Sequence, residues 1–307
     1  MVPITCFRLG GPQKKLRLDM CVANSMIQIS RSAAQRLIRD GSVSVDGVVE
    51  NRPSHSVLAG SKIEVDVREE DSNVDLIASR QRFTVLHEDQ HLLVLDKPDG
   101  LSVHPGPGHQ SDTLVNGLLV DYPEIRDIGE AGRPGIVHRI DRNTSGLMVV
   151  SRSKEAHTKL SDMVREHKIR RTYIALVRGG PERSMGVIDA PLGRDPRHRQ
   201  RQAVVEDGRP ARTHFRVKER LTRTTLMELE LETGRTHQIR VHLASIGNPV
   251  VGDPLYGRSP RGPAGLSRQF LHASGLAFTH PITDKRLELI SPLPEDLQLS
   301  LKAARQE

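Results

Sequence analysis

The sequence predicts an α+β chain in two parts: a small α/β unit over residues 15–68 and a larger domain over residues 81–307, with a linker at 69–80. Three observations predict this. In the first part a helical segment is followed by a tight Asp-Gly hairpin and an alternating strand, enough to close a small core. Residues 69–80 are rich in Glu and Asp and carry no apolar period. Beyond residue 81, apolar strand-like runs are interspersed with helical ones around several Gly- and Pro-containing turns.

In the first part, Ile27 and Ile29 lead into a helix over residues 30–39. Ser30 or Ser32 can cap it, because a short hydroxyl side chain satisfies a free N–H of the first turn. Ala33, Leu37 and Ile38 form its apolar stripe. Arg31, Arg36 and Arg39 project from the other faces. Asp40-Gly41 closes the helix. Residues 43–45 and 48–49 pair across Asp46-Gly47, a pair that favours the left-handed turn of a hairpin. Residues 60–67 alternate as a further strand. The first eighteen residues contain no acid, but Pro3, Gly10, Gly11 and Pro12 would break an amphipathic helix and no apolar core of a secretory signal is present. A short disordered start is expected there.

In the second part, residues 83–88 and 91–96 read as strands around Asp89-Gln90, and 97–100 as a turn. Asp112 or Thr113 can cap a helix through Leu114, Leu118 and Leu119. Residues 135–140 and 147–151 read as apolar strands flanking a polar loop. A helix is expected over 155–166, a buried strand over 171–177 and a half-exposed strand over 224–231. After Thr233-Gly234 a helix is expected with Ile239, Leu243 and Ile246 on one face.

Bulk composition narrows the function. A net charge of +7 and a pI near 9.7 favour a polyanionic partner: RNA, DNA or the ribosome. Two clusters, Arg165, Lys168, Arg170 and Arg171, and Arg194, Arg197, Arg199 and Arg201, suit phosphate contacts. Aromatic residues are only 3% with no tryptophan, so binding is expected to rest on arginine and lysine rather than on stacking platforms. The two cysteines, Cys6 and Cys21, cannot build a disulfide framework or a four-cysteine zinc site, which points to a reducing, cytoplasmic setting. No apolar run reaches the roughly 18–20 residues of a membrane span. No Gly-x-Gly-x-x-Gly loop opens a helix after a strand, and there is no P-loop, which speaks against a methyltransferase or an ATP-dependent enzyme.

Three segments carry chemistry. The stretch 138–146, His-Arg-Ile-Asp-Arg-Asn-Thr-Ser-Gly, places Asp141 beside two arginines and a histidine in a loop between apolar runs. By residue type alone Asp141 is either an Asx-turn residue or a catalytic carboxylate. The stretch 233–244, Thr-Gly-Arg-Thr-His-Gln-Ile-Arg-Val-His-Leu-Ala, carries Arg235, and His237 with His242 at a five-residue spacing that does not suit a shared metal. No metal is expected. In the strand at 171–177, Tyr173 is either a core tyrosine or a residue that meets a base.

The segment 138–146 resembles the active-site motif of the RluA family of pseudouridine synthases, with Ile140 where leucine is usual. Residues 233–244 and 171–177 resemble two further motifs of that family, and 100–108, 252–257 and 271–281 resemble its landmarks. The first fifty-odd residues of the small unit resemble the S-four-type RNA-binding module. The resemblance implies a catalytic domain with a mixed, mainly antiparallel sheet and flanking helices, and an isomerase that needs no cofactor. It implies Asp141 as the catalytic aspartate, Arg235 as the arginine that pairs with it and Tyr173 as the residue stacked on the target base. Arg139 is then the side chain that fills the gap left by a flipped base. His138 and Leu243 are expected at the substrate, Leu243 as an apolar wall. Arg31, Arg36, Arg39, Arg170, Arg171, Arg197 and Arg199 are expected to contact RNA. The expected partner is large-subunit ribosomal RNA, free or in ribosomal precursor particles, bound by a monomer. The alternatives are a tRNA substrate and a non-catalytic RNA-binding assembly factor on the same fold.

Overall fold

A computed structural model of the 307-residue chain describes residues 4–8, 16–23, 31–66, 76–106, 109–130, 132–198, 201–257 and 259–307. It divides into two compact units, residues 1–74 and 75–307.

The first unit contains strands β1 (Ile4–Arg8) and β2 (Leu16–Arg17), helices α1 (Leu18–Ala23) and α2 (Arg31–Arg39), and strands β3 (Val43–Val45), β4 (Val48–Val49), β5 (Ser56–Val57) and β6 (Lys62–Asp66). Its four-stranded sheet runs in the order β1-β6-β3-β4, and β2 pairs with β5 apart from it. Asp46 and Gly47 both take positive φ, 51° and 82°, which gives the tight turn whose twist matches the paired strands. Leu18 and Val22 of α1, Leu37 and Ile38 of α2, and Ile63 and Val65 of β6 close the core. The expected disordered start is corrected in part: Ile4–Arg8 pairs antiparallel with Lys62–Asp66, because β6 offers an open edge there.

The second unit contains β7 (Thr84–Glu88), β8 (Leu92–Lys97), α3 (Leu114–Asp121), β9 (Ser145–Ser151), α4 (Lys154–Arg165), β10 (Arg170–Arg178), β11 (Met185–Asp189), β12 (Leu192–Arg194), β13 (Gln202–Val204), β14 (Arg212–Arg220), β15 (Thr224–Leu231), α5 (Gln238–Ser245), β16 (Leu271–Thr279), β17 (Arg286–Ile290) and α6 (Glu295–Gln306). Nine strands form one sheet in the order β11-β14-β15-β10-β16-β9-β8-β7, with β17 added on β16. Every pairing in it is antiparallel except β9 against β16.

Strands β8 and β9 explain the layering. Leu93, Leu95, Met148 and Val150 face the main core, which also holds Leu114 and Leu118 of α3, Leu243 of α5 and Leu297 of α6. Leu92, Val94, Leu147 and Val149 face the other way, onto Leu160 of α4 and Phe278. Side chains alternate along a strand, so a strand covered on both faces reads as continuously apolar. Thr113, rather than Asp112, caps α3: its hydroxyl and the Asn116 side chain close a reciprocal pair of cap bonds.

Two further expectations change. Residues 135–140 form no strand; only Ile136 bridges to Val150, and the segment reaches the Asp141 loop as irregular chain. Of the expected linker at 69–80, residues 76–80 are described, and they pack on the larger unit. Leu76 is buried in its core, Leu76 O accepts from Arg126 and Ile77 O accepts from Asn116 Nδ2 at 2.7 Å. Leu76 supplies the apolar anchor that the surrounding acids obscure in the sequence. Among the described residues no helix is long and apolar enough to cross a membrane.

Candidate active site

Asp141 begins a short turn, closed by Thr144 N–H donating to Asp141 O at 3.0 Å, that runs straight into β9. Several groups fix this turn. The fully buried Lys97 ammonium donates to Arg142 O at 3.0 Å, and also to Pro98 O and Leu101 O. Burial pulls the Lys97 pKa down to about 7. Arg268 donates to Asn143 O while its fork is held by Asp296 of α6. Gly146 has φ +114°, and a Cβ there would lie 2.2 Å from Ala273 O on β16. Only glycine lets β9 approach its parallel neighbour so closely at the end of the loop.

The second wall is α5. His237 precedes it in a left-handed conformation, φ 58°. The buried Gln238 side chain accepts from Arg235 N–H and Thr233 Oγ1 and donates to Arg212 O and Thr213 Oγ1. That pins the Gly234-Arg235 turn to β14. One step along the helix, Arg240 is 3% exposed and donates Nη1 to Asp141 Oδ2 at 2.9 Å. Its Nε and Nη2 donate to both oxygens of Asp253, at 2.7 and 2.9 Å. Asp253 is fully buried and also accepts from Leu255 and Tyr256 N–H. Burial alone would lower the Arg240 pKa, but the carboxylates of Asp253 and Asp141 more than reverse it. The guanidinium stays charged and is stacked 5.1 Å from the Tyr256 ring centroid.

The expected pairing of Asp141 with Arg235 is therefore corrected: the partner is Arg240. Arg235 lies in the turn before α5, half-buried, with Nε donating to Pro210 O. Leu243 is also corrected. It is fully buried in the main core and lines no cavity beside Asp141; Ile239, one turn earlier, takes that place. Ile246 is 40% exposed rather than on the buried face.

Tyr173, in the middle of β10, is 4% exposed. Burial raises its pKa, the nearby Arg171 lowers it and the Asp141 charge raises it, so the net direction is upward and the phenol stays protonated. With Leu231, Ile239, Arg240 and Leu271 it encloses a narrow cavity of about 40 Å³ against Asp141. Arg139, Arg171, Gly234 and Arg235 border this cavity and also a wider one of about 550 Å³.

The remaining candidates divide. Arg139 is exposed on the rim and donates to His104 Nε2 at 3.3 Å. His138 is buried; its Nε2 accepts from Val149 N–H at 3.0 Å, and burial pulls its pKa down to about 3, so it is a neutral structural acceptor that borders only the wider cavity. Arg171 is 5% exposed, with Nη2 on the Leu231 and Glu232 carbonyls, which rules out an open surface contact with RNA. A Cβ on Gly234 would lie 3.0 Å from its guanidinium. Arg170 is exposed but ion-paired with Glu230. Arg36, Arg39 and Arg197 are exposed. The Arg31 side chain and Arg199 lie outside the described residues.

The residue order of these walls matches a known family. Residues 91–245 match the family model described as RNA pseudouridylate synthase, and residues 16–63 match the S4 domain. The chain is 48% identical over 286 residues to an uncharacterized RNA pseudouridine synthase of Chloroflexus aurantiacus, covering 93% of this chain and 89% of the relative. It is 45% identical over 296 residues to ribosomal large subunit pseudouridine synthase D of Nitrosomonas europaea, covering 94% and 85%. The structure of human RNA pseudouridylate synthase domain containing 1 superposes with a TM-score of 0.58 at 26% identity, covering 73% of this chain and 88% of that one. The chain belongs to the RNA pseudouridine synthase family. As such a synthase it is an isomerase that binds RNA, and its catalytic domain has the α+β fold with a mixed, mainly antiparallel sheet.

Sequence reasoning missed Arg240, Asp253, Lys97 and Tyr256 at this synthase site. A signal for the first was present: Arg240 sits between Ile239 and Val241 in a helix otherwise facing the core, and a charge in such a frame needs a buried partner. Asp253, in Gly-Asp-Pro-Leu-Tyr-Gly, is that partner.

Proposed function

We propose that this chain isomerises uridine to pseudouridine in large-subunit ribosomal RNA, with Asp141 as the reacting carboxylate. The observation that carries this is the buried array in which one guanidinium, Arg240, is shared by Asp253 and Asp141 at the mouth of a cavity backed by Tyr173. The S4 domain and the large-subunit substrates named for its bacterial relatives favour ribosomal RNA.

A stacked uridine cannot present its glycosidic bond, so the nucleotide is extruded at a cost of about a few kcal/mol. Arg139, on the rim, is placed to swing into the vacated stack. The bond between ribose C1′ and uracil N1 breaks, the base turns, and C5 bonds to C1′; C5 gives up its proton and N1 takes one. Asp141 sets its charge against C1′, where positive character develops. Arg240 keeps that carboxylate aimed, and Asp253 keeps Arg240 in place. Tyr173 supports the face of the base.

Incubating the purified chain with large-subunit rRNA transcript and mapping pseudouridines tests the proposal. Conversion at a small set of uridines is expected. Conversion confined to tRNA, or none in either RNA, would sink it.

A further inference from the structure

We infer that His237 is a further catalytic residue of this synthase: its Nε2–H donates a hydrogen bond to a carbonyl oxygen of the uracil as the base leaves the ribose. This rests on the reading of the reaction given above and adds a group to it. In the sequence His237 stands out only for its five-residue spacing from His242. The structure separates the two. His242 is fully buried, with Nδ1 on Thr213 Oγ1 at 2.9 Å and Nε2 on Ala190 O at 3.0 Å, so both its nitrogens are spent. His237 instead borders the cavity that Asp141, Tyr173 and Arg240 enclose.

Backbone and ring of His237 are held in an arrangement that the helix does not require. The residue takes φ 58° although it is not glycine, a conformation that persists only where its surroundings impose it. It occupies the N-cap of α5, where a side chain ordinarily accepts from a free N–H of the first turn, yet its ring caps nothing. The ring goes to Tyr256 instead: Nδ1 and the Tyr256 hydroxyl are 2.9 Å apart, and the two rings meet edge to face with centroids 5.6 Å apart.

These bonds fix the tautomer. The Tyr256 oxygen accepts from Gln202 N–H at 2.8 Å, and burial raises the Tyr256 pKa, so the phenol keeps its proton. Among the described residues His237 Nδ1 is the acceptor for that proton, which places the imidazole hydrogen on Nε2. Nε2 bonds to no described residue, and it is not one of the sealed polar atoms that lack a partner, so it keeps open surface. Burial lowers the His237 pKa against the opposing pull of Asp141, so the ring is neutral and offers a hydrogen bond rather than a proton.

Such a donor counts at one moment. When the bond between ribose C1′ and uracil N1 breaks, its electron pair goes to N1, and the base becomes an anion whose charge is shared with O2 and O4. A hydrogen bond to either oxygen strengthens as that charge grows, so it stabilises the transition state more than the bound uridine. His237 keeps its proton throughout, because a neutral imidazole is a much weaker acid than uracil. The anion is consumed when C5 bonds to C1′, after which C5 loses its proton and N1 gains one. Tyr256 is a positioning residue in this scheme. Its ring also carries the Arg240 guanidinium at 5.1 Å, so one tyrosine orients both the group that aims the carboxylate and the group that meets the base.

The test is single-turnover conversion by the full chain, with RNA affinity and thermal melting measured on the same preparations. His237→Gly removes the ring, and glycine takes positive φ without strain. The rate is expected to fall by about a hundredfold to a thousandfold, the usual effect of losing one such donor, with affinity little changed. A transcript carrying 5-fluorouridine supplies the readout that a structural role would not move. Fluorine withdraws charge from the base anion, so the donor matters less, and the fold loss in His237→Gly, read as disappearance of 5-fluorouridine from the digested RNA, is expected to be smaller. Tyr256→Phe keeps the ring against Arg240 but frees the imidazole tautomer, and a lesser fall with the same dependence on fluorine is expected. A His237→Gly rate close to wild type, an equal fold loss on both RNAs, or an unchanged rate in Tyr256→Phe overturns the inference. The ratios are taken on whichever RNA the wild type converts. Wild-type conversion of tRNA alone removes the ribosomal assignment and leaves His237 to stand or fall on its own ratios; conversion of neither RNA removes both.

Discussion

Asp141 and Asp253 share one guanidinium: Arg240 donates Nη1 to Oδ2 of Asp141 at 2.9 Å and its other two nitrogens to both oxygens of Asp253. The two acids differ in what else they meet. Asp253 is sealed, whereas the Asp141 side chain keeps 17% of its surface open, toward the cavity. One carboxylate is closed off in the core and the other is open to whatever enters the cavity.

Replacing Asp141 by Asn keeps the shape and removes the charge. Pseudouridine formation is expected to fall by about three orders of magnitude or more, with RNA affinity within a few-fold of wild type. Single-turnover conversion together with filter binding checks both. Normal turnover would remove Asp141 from the mechanism.

Asp253→Asn leaves Arg240 buried with half its charge compensation. A stability loss of about 3 kcal/mol is expected, because breaking one side of a buried ion pair strands the other charge. Arg240→Lys keeps the charge but cannot span two carboxylates, so its rate is expected to fall about a hundredfold with a smaller loss of stability. Denaturant melts and turnover on the same preparations distinguish the two effects.

Lys97→Met should lower the melting temperature and loosen the Asp141 turn together. Three carbonyls lose their donor, and Arg142 O is one of them. Unsatisfied buried acceptors cost about 1–3 kcal/mol each, partly offset by no longer burying an ammonium. Faster amide exchange at 142–144 in the variant would support this. Unchanged exchange and turnover would reduce Lys97 to packing.

His138 gives a pH signature. Its folded pKa, about 3, lies below the ordinary value near 6.5, so the unfolded chain binds a proton that the folded chain refuses between those values. The stability contribution is complete above about pH 6.5 and is lost as pH falls toward 3, about 3 kcal/mol of it by pH 4. His138→Gln, which can still accept from Val149 N–H, is expected to flatten the acid limb of a stability–pH curve. An identical limb in both proteins would contradict the buried neutral imidazole.

Much of this architecture was legible in the residues. Strand β15 spans the expected 224–231, α4 begins one residue before its expected start, and the Asp46-Gly47 turn is where the dipeptide placed it. These segments are governed by local periodicity and turn chemistry. What was misread depends on contacts distant in sequence. Residues 135–140 have the apolar composition of a strand, but β8 and β16 already flank β9 in the sheet, so they run as irregular chain. At the site, Arg235 and Arg240 stand five residues apart, and which one reaches Asp141 is decided by the phase of α5 and by Asp253. Neither can be read from the motif alone. The C-terminal helix α6, with Leu297, Leu301 and Ala304 buried at helical spacing, was visible in principle and went unread.

Leu76 has a practical consequence for separating the two units. The boundary suggested by composition, at residue 81, would strip away a side chain that fills the main core and two carbonyls that close hydrogen bonds with Arg126 and Asn116. A fragment starting at 81 would inherit a void and unsatisfied donors beneath α3, and any drop in its activity would be mistaken for loss of RNA affinity. Starting at 75 leaves that plug in place, so the contribution of the S4 domain can be weighed against an otherwise undamaged enzyme.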